Sequence, residues 1–177
     1  IATRLDRQVH LPEHEEHIMT VREAIGNEID FPKIPAGYRD ENTVRFHTTR
    51  SLSKINSERI KIIKKDGGTR MAFKDNPELQ LKCYIGRDNS FRDVYGRLYW
   101  DKPSSTITTK FLSFTNGRFG HPDQNRCISV REGARLQSFP NDYEFKTKSI
   151  QTAARIIGNA VPPEYGRRLG LLLQELN

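Results

Sequence analysis

Between Tyr84 and Phe119 the chain alternates rings with cations. Tyr84, Phe91, Tyr95, Tyr99, Trp100, Phe111, Phe114 and Phe119 are half of its aromatic residues, and Arg87, Arg92, Arg97, Lys102, Lys110 and Arg118 lie among them. A ring offers a face on which any nucleobase can stack, and a cation offers a partner for phosphate or for a base edge. A small sheet would need many of the same rings for its core, so packing competes with stacking for each of them. Upstream, residues 45–70 hold eight Lys or Arg against two acids, a face suited to phosphate or simply to water. His10, Glu13, His14, Glu15, Glu16 and His17 are metal-binding types, yet their crowding reads as a solvated loop. Cys83 and Cys127 stand 44 positions apart, form no metal or redox motif, and read as reduced cytosolic thiols.

Capping signals place the helices that must carry these groups. Thr20-Val21-Arg22-Glu23 is a capping box, predicting a short helix that stops at Gly26. Pro32, Pro35 and Gly37 then mark a linker. Asn56 predicts the cap of a second helix, running through Arg59, Ile60, Ile62 and Ile63 to Gly67-Gly68. Val94–Trp100 and Thr106–Phe111 predict two strands about a turn at Pro103. Ser129-Val130-Arg131-Glu132 is a second capping box, opening a helix that ends near Phe139-Pro140. Ile150, Ala153, Ala154 and Ile157 recur at helical spacing, with Ser149 as cap and Gly158 as stop. Pro163 opens a last helix, whose stripe Tyr165, Leu169, Leu172, Leu173 and Leu176 wants a partner surface.

The totals bound the class. The chain has 177 residues, 29 Lys plus Arg and 22 acids, for a net charge of +7. Its pI is near 9.5 and its mean hydropathy is -0.72. That balance favours a polyanionic partner, nucleic acid most simply. No apolar run approaches the roughly 18 residues of a bilayer span, and no signal peptide opens the chain, which begins at Ile1 and not at Met. The expectation is a cytoplasmic protein without membrane or metal.

Two strings take the reading further. Arg131-Glu132-Gly133-Ala134-Arg135-Leu136-Gln137-Ser138-Phe139-Pro140 resembles the penultimate motif of cytosine-5 DNA methyltransferases, and Gly158-Asn159-Ala160-Val161-Pro162-Pro163 resembles their final motif. Tyr95–Asp101, Thr106-Ile107-Thr108-Thr109 and Gly117–Pro122 precede them in the family's order. Ile1–Arg4 resemble the end of the strand after the eighth motif. The departures are as informative. The family's nucleophile is a Cys directly after a Pro, whereas Lys82 precedes Cys83 and Arg126 precedes Cys127. The Gly-rich donor loop, the Glu-Asn-Val triplet and the paired-Arg motif are missing as well. Gly133 stands where many relatives carry Cys or Ala, a small-for-small difference expected to be harmless.

The resemblance implies the DNA-recognition and closing portion of a methyltransferase, as one piece of a chain or as a subunit of a split enzyme. Two further alternatives are a non-catalytic DNA-binding module and a generic basic nucleic-acid binder. The implied fold is α+β: a small β-sheet recognition domain with short helices, plus C-terminal helices that pack on an absent Rossmann-like catalytic domain. The implied organisation is residues 1–45 as catalytic-domain tail and linker, 46–128 as target-recognition region, and 129–177 as the returning motifs. Methylation of cytosine at carbon 5 needs a thiolate at carbon 6, so the base must leave the duplex at a cost of about a few kcal/mol. Contacts to neighbouring bases and phosphates of double-stranded DNA must offset that cost. Arg92, Arg97 and Lys110 are then candidates for guanine edges. Asn89, Ser90, Phe91 and Asp93 fall where relatives place a loop that enters the DNA beside the flipped base, and Thr108 where a threonine touches backbone near the flip. Arg118 and His121 become phosphate ligands. Arg131, Glu132 and Arg135 become the braces of the penultimate motif, and Asn159 and Ala160 contacts to the methyl donor, S-adenosylmethionine, most of whose pocket lies in the catalytic half. A partner restriction endonuclease is common among such relatives.

Overall fold

A computed structural model of the protein describes residues 17–42 and 46–174. The crowded acidic and histidine run at 10–16, the first four residues and Leu176 lie outside the described residues. Five α-helices follow in order: α1 (Val21–Ile25), α2 (Lys54–Ile62), α3 (Val130–Leu136), α4 (Ile150–Asn159) and α5 (Pro163–Gln174), with 3-10 turns at Arg70–Phe73 and Lys82–Tyr84.

The capping boxes act as their sequences require. The Thr20 hydroxyl accepts the Glu23 amide while the Glu23 carboxylate accepts the Thr20 amide, and α1 ends at Gly26. Ser129 and Glu132 repeat this reciprocal arrangement at α3. Ser149 caps α4, which runs one residue past Gly158. For α2 the expected cap is displaced by a turn: Ser53, not Asn56, accepts the free amide, and Asn56 supplies that amide.

Two apolar clusters result. The larger joins α1, α3 and α4 through Val21, Ile25, Val130, Ala134, Ala153 and Ile157, and receives Leu98, Ile107, Phe111 and Phe119 from the central segment. The smaller gathers Ile60 and Ile63 from the end of α2 with Phe73, Leu79, Tyr95, Phe114 and Cys127. Arg97 lies between them, 1% exposed. Its guanidinium donates to the carbonyls of Ile60 and Ile63, which the end of α2 leaves without intrahelical partners. It also donates to the carbonyls of His121 and Gln124 and to Asn125 Oδ1.

The two expected strands are not met as a ladder among the described residues. Gly96–Leu98 and Gly120 share two backbone hydrogen bonds, of 2.8 and 2.9 Å, but the pairing stays as isolated bridges of Arg97 and Cys127 with Gly120. Two turns interrupt it. Tyr95 takes a left-handed conformation at φ 58°, and the Phe111 amide folds back on the Thr108 carbonyl. In the second case the Thr108 hydroxyl also accepts the Lys110 amide, a local bond that competes with sheet pairing.

Candidate nucleic-acid interface

The polar side of α4 forms one wall of a cleft of about 540 Å³. Ile150, Ala153, Ala154 and Ile157 turn into the core, which leaves Gln151, Arg155 and Asn159, four residues apart, on a common outward stripe. The opposite wall comes from Thr109, Lys110, Leu112 and Ser113, with Arg50 at one edge. Three of the ten lining residues are cationic and none is acidic, so the cleft selects anions and offers amides and hydroxyls beside them. Gly158 brings the walls together. A Cβ there would sit 2.3 Å from the Thr109 amide nitrogen and 2.4 Å from the Thr108 carbonyl carbon, both backbone atoms. Of the sequence candidates, Lys110 and Asn159 line this cleft directly, and exposed Thr108 borders it.

Gly133 is also fixed by close approach. A Cβ at this position would meet the fully buried Phe111 ring at 2.3 Å. Gly133 thus fits its place without strain, whereas the Cys or Ala of relatives would require the Phe111 ring to shift.

Asn89, Ser90, Phe91, Arg92 and Asp93 form an exposed loop. Phe91 stands out from it, 64% exposed, at φ 52°. Arg92 folds onto the loop, donating to the Asp88 carbonyl and Asn89 Oδ1, and Asp93 pairs with Arg118 at 2.9 Å.

Three candidates face inward. Arg97 commits its donors to the five acceptors described above, so no fork remains for a guanine edge. Arg118, 8% exposed, donates to Asp93 and to the carbonyls of Gly67, Arg97 and Arg92. His121, 3% exposed, accepts the amides of Asp123 and Gln124 at Nδ1. Its ring proton therefore belongs on Nε2, which lies 3.7 Å from Glu132. Burial drives its pKa down to about 4, so the ring is neutral and a poor phosphate ligand. These three, expected as DNA contacts, are instead buried ties between segments of the chain. Sequence position located them without revealing that their polar ends point into the molecule.

Two of the three residues expected to brace the penultimate motif, Arg131 and Glu132, make extensive contacts inside this chain. Arg131 lies over the Phe145 ring and donates to the carbonyls of Pro140 and Tyr143. Glu132 takes both arms of Arg126, each at 2.7 Å. Burial alone would raise the carboxyl, but the Arg126 charge and its hydrogen bonds prevail and hold it at about 2. Arg135 is half-buried in the last turn of α3. Burial pushes the Cys127 thiol up to about 12, far from a thiolate nucleophile, while Cys83 is exposed on its 3-10 turn.

Ala160 caps α4 and its carbonyl accepts from the Gln137 side chain at 3.0 Å. Asn159 offers an exposed amide next to it. This pair of groups suits one edge of a polar ligand, and Asn159 at the same time lines the cleft. Arg50, Gln151 and Arg155 went unassigned in the sequence. For the last two a signal existed, since they share helical spacing with Asn159 opposite the apolar stripe. Arg50 had only the weaker signal of the basic stretch 45–70, in which nothing singles it out; it follows the buried run 46–49. Among the described residues no cluster of three His, Cys, Asp or Glu could hold a metal, and no helix is long and apolar enough to cross a membrane.

Comparison with known proteins adds a family-scale match. The model of the C-5 cytosine-specific DNA methylase family matches residues 6–175. The type II methylase M.HgiDII of Herpetosiphon aurantiacus is 40% identical over 157 residues, covering 86% of this chain and 42% of the relative. The type II methyltransferase M1.BsuMI of Bacillus subtilis is 34% identical over 126 residues, covering 71% of the chain and 29% of the relative. DNA (cytosine-5)-methyltransferase 1 of Mus musculus is 44% identical over 86 residues, 48% of the chain and 5% of that protein. The chain thus spans less than half the length of these curated relatives.

Proposed function

Because the chain belongs to the C-5 cytosine-specific DNA methylase family, we propose that it is the target-recognition and closing portion of a methyltransferase acting on cytosine in duplex DNA. The observation that carries this reading is the cationic cleft between α4 and residues 109–113. It joins the end of the recognition segment to the final motif, where a site must hold phosphate while a base is displaced. The exposed loop 89–93 supplies the second contact surface, with Phe91 as the ring available for stacking. Arg50, Lys110 and Arg155 hold phosphates across the cleft; Thr108 and Gln151 contact the backbone and sugar nearby.

S-adenosylmethionine supplies the electrophilic methyl group when bound. Asn159 and Ala160 meet one edge of it, and the remainder of its pocket, with the Pro-preceded nucleophilic Cys, belongs to a catalytic half of Rossmann type. Helix α5 supports that division. None of its described residues is buried, Tyr165, Leu171 and Leu173 are exposed, and Gly166 and Gly170 face open space. The same reading assigns 46–128 to recognition and 129–177 to the return onto the catalytic domain, in an α+β whole.

The test is methyl transfer from labelled S-adenosylmethionine to mixed-sequence duplex DNA, by the chain alone and by the chain extended upstream in its natural reading frame. Activity in the extended form only is the expected result. Duplex binding without transfer in either form would favour a split enzyme or a non-catalytic module, and absence of duplex binding in both would overturn the reading.

A further inference from the structure

Arg70 lies on the first 3-10 turn, which Thr69 caps and whose Phe73 is buried in the smaller core against Tyr95. Although only 3% exposed, its guanidinium is turned toward the exposed loop and not the core. Nη2 donates to the carbonyls of Arg87 at 2.6 Å and Ser90 at 2.7 Å, and Nε reaches the Phe91 carbonyl at 3.4 Å. The guanidinium carbon stands 4.5 Å from the centre of the Tyr84 ring, whose other neighbour is the Phe91 ring at 6.0 Å. Below the loop is a cavity of about 200 Å³, bordered by Arg70, Lys74, Tyr84 and Asp88. Packing therefore leaves space beside the start of the loop, at residues 85–88.

The loop's conformation needs such a fastening. Three carbonyls directed at one point repel each other unless a cation answers them. Phe91 holds a left-handed backbone that an L residue with a large side chain adopts only where its surroundings enforce it. A fork with fixed geometry can satisfy several carbonyls at once; a single ammonium cannot reproduce its angles. Besides the loop's own Arg92 contacts to Asp88 and Asn89, the ties from outside are Lys74 to Asp88 at 3.1 Å, partly exposed, and Arg118 to Asp93 and the Arg92 carbonyl at the loop's far end.

We propose that Arg70 is a positioning residue that sets the pose of Phe91 and its neighbours for duplex DNA, and thereby governs DNA affinity and site choice without touching DNA. The inference rests on the proposed recognition role of the loop. It assigns a specificity function to a side chain that lies in the other part of the recognition segment, 21 positions before Phe91.

The experiment uses the protein in its complete natural reading frame. Arg70→Ala and Arg70→Lys are compared with the wild type in methyl transfer on a random duplex pool, with sequencing of methylated sites and hydrogen exchange of residues 86–93. Arg70→Ala should raise KM for duplex about tenfold, broaden the methylated set, and leave KM for S-adenosylmethionine unchanged. Amides of 86–93 should exchange about tenfold faster or more, while those of α4 stay as in the wild type. Arg70→Lys should recover part of each effect, and it carries the test if the alanine variant does not fold. Phe91→Ala should cost DNA affinity in the wild type and add little on Arg70→Ala. Unchanged duplex KM and loop exchange would overturn the inference, as would faster exchange spread equally over α2 and α4. A wild-type protein that neither methylates nor binds duplex would overturn the recognition reading itself, with loop exchange still deciding whether Arg70 is the fastening.

Discussion

Arg126 and Glu132 face each other along two parallel hydrogen bonds of 2.7 Å, with both side chains shut off from solvent. The carboxylate also accepts the Ser129 amide at 2.6 Å, so a single group closes the capping box of α3 and anchors Arg126 to it. Removing one partner leaves the other charge buried, which costs about 3–5 kcal/mol. Glu132→Gln should therefore lower the urea midpoint strongly, and Arg126→Met with Glu132→Met together should lower it less than either single change. Additive losses in the pair would sink this account.

Acid should act on the same neighbourhood before it reaches Glu132. His121 titrates near 6.5 when unfolded and at about 4 in the fold, because burial outweighs the attraction of Glu132. Between those values the unfolded state binds the proton more tightly, so stability is full above about 6.5 and declines as pH falls toward 4. The difference corresponds to about 3 kcal/mol. His47, also lowered by burial, adds in the same direction. Glu132 contributes only at lower pH: its stabilisation holds above the usual carboxylate value and is lost as pH falls through about 2. Thermal melts from pH 7 to 4 should show the decline. Asparagine at 121 keeps an acceptor near the Nδ1 position without a titrating ring, so His121→Asn should flatten it.

Local signals were legible in the sequence; long-range polar ones were not. Capping boxes, helix periodicity and the Gly158 motif depend on residues within about four positions, and they placed α1, α3, α4 and α5. The choice between Ser53 and Asn56 depended on where the chain enters α2, which neither residue type decides. Arg97, Arg118 and His121 share the composition of DNA-contacting residues, yet their partners lie as far as 51 positions away, as with Arg118 and the Gly67 carbonyl. The β-branched and aromatic types at 94–100 and 106–111 do not build a ladder, because Tyr95 turns left-handed and Thr108 folds back on Lys110 and Phe111. The cleft itself could be read only in part, through Lys110, Thr108 and Asn159.

Glycines in helices separate packing from propensity in this chain. Replacing an exposed helical Gly by Ala ordinarily stabilises by about 0.5–1 kcal/mol. Gly166 of α5, with open space about it, should follow that rule. Gly158→Ala should reverse the sign, because its Cβ would strike the backbone at Thr108 and Thr109 and force the cleft walls apart. The expected readings are a lower melting midpoint and weaker duplex binding for Gly158→Ala, beside a raised midpoint for Gly166→Ala. A stabilised Gly158→Ala would mean that the loop moves away at no cost.

The cleft cations give the most direct account of how the chain would hold DNA. A phosphate contact releases a counterion, so removing one should reduce the slope of log affinity against log salt by about 1. Arg50→Ala, Lys110→Ala and Arg155→Ala should each do so on mixed-sequence duplex, because phosphates are common to every site. Lys146 provides the comparison: it is 81% exposed and already paired with Glu144, away from the cleft lining. Lys146→Ala should leave the slope unchanged. If all four variants lower the slope alike, binding follows net charge and the cleft has no special part in it. If only the three cleft variants do, the phosphates run between α4 and residues 109–113, and the helix that carries the final motif meets DNA.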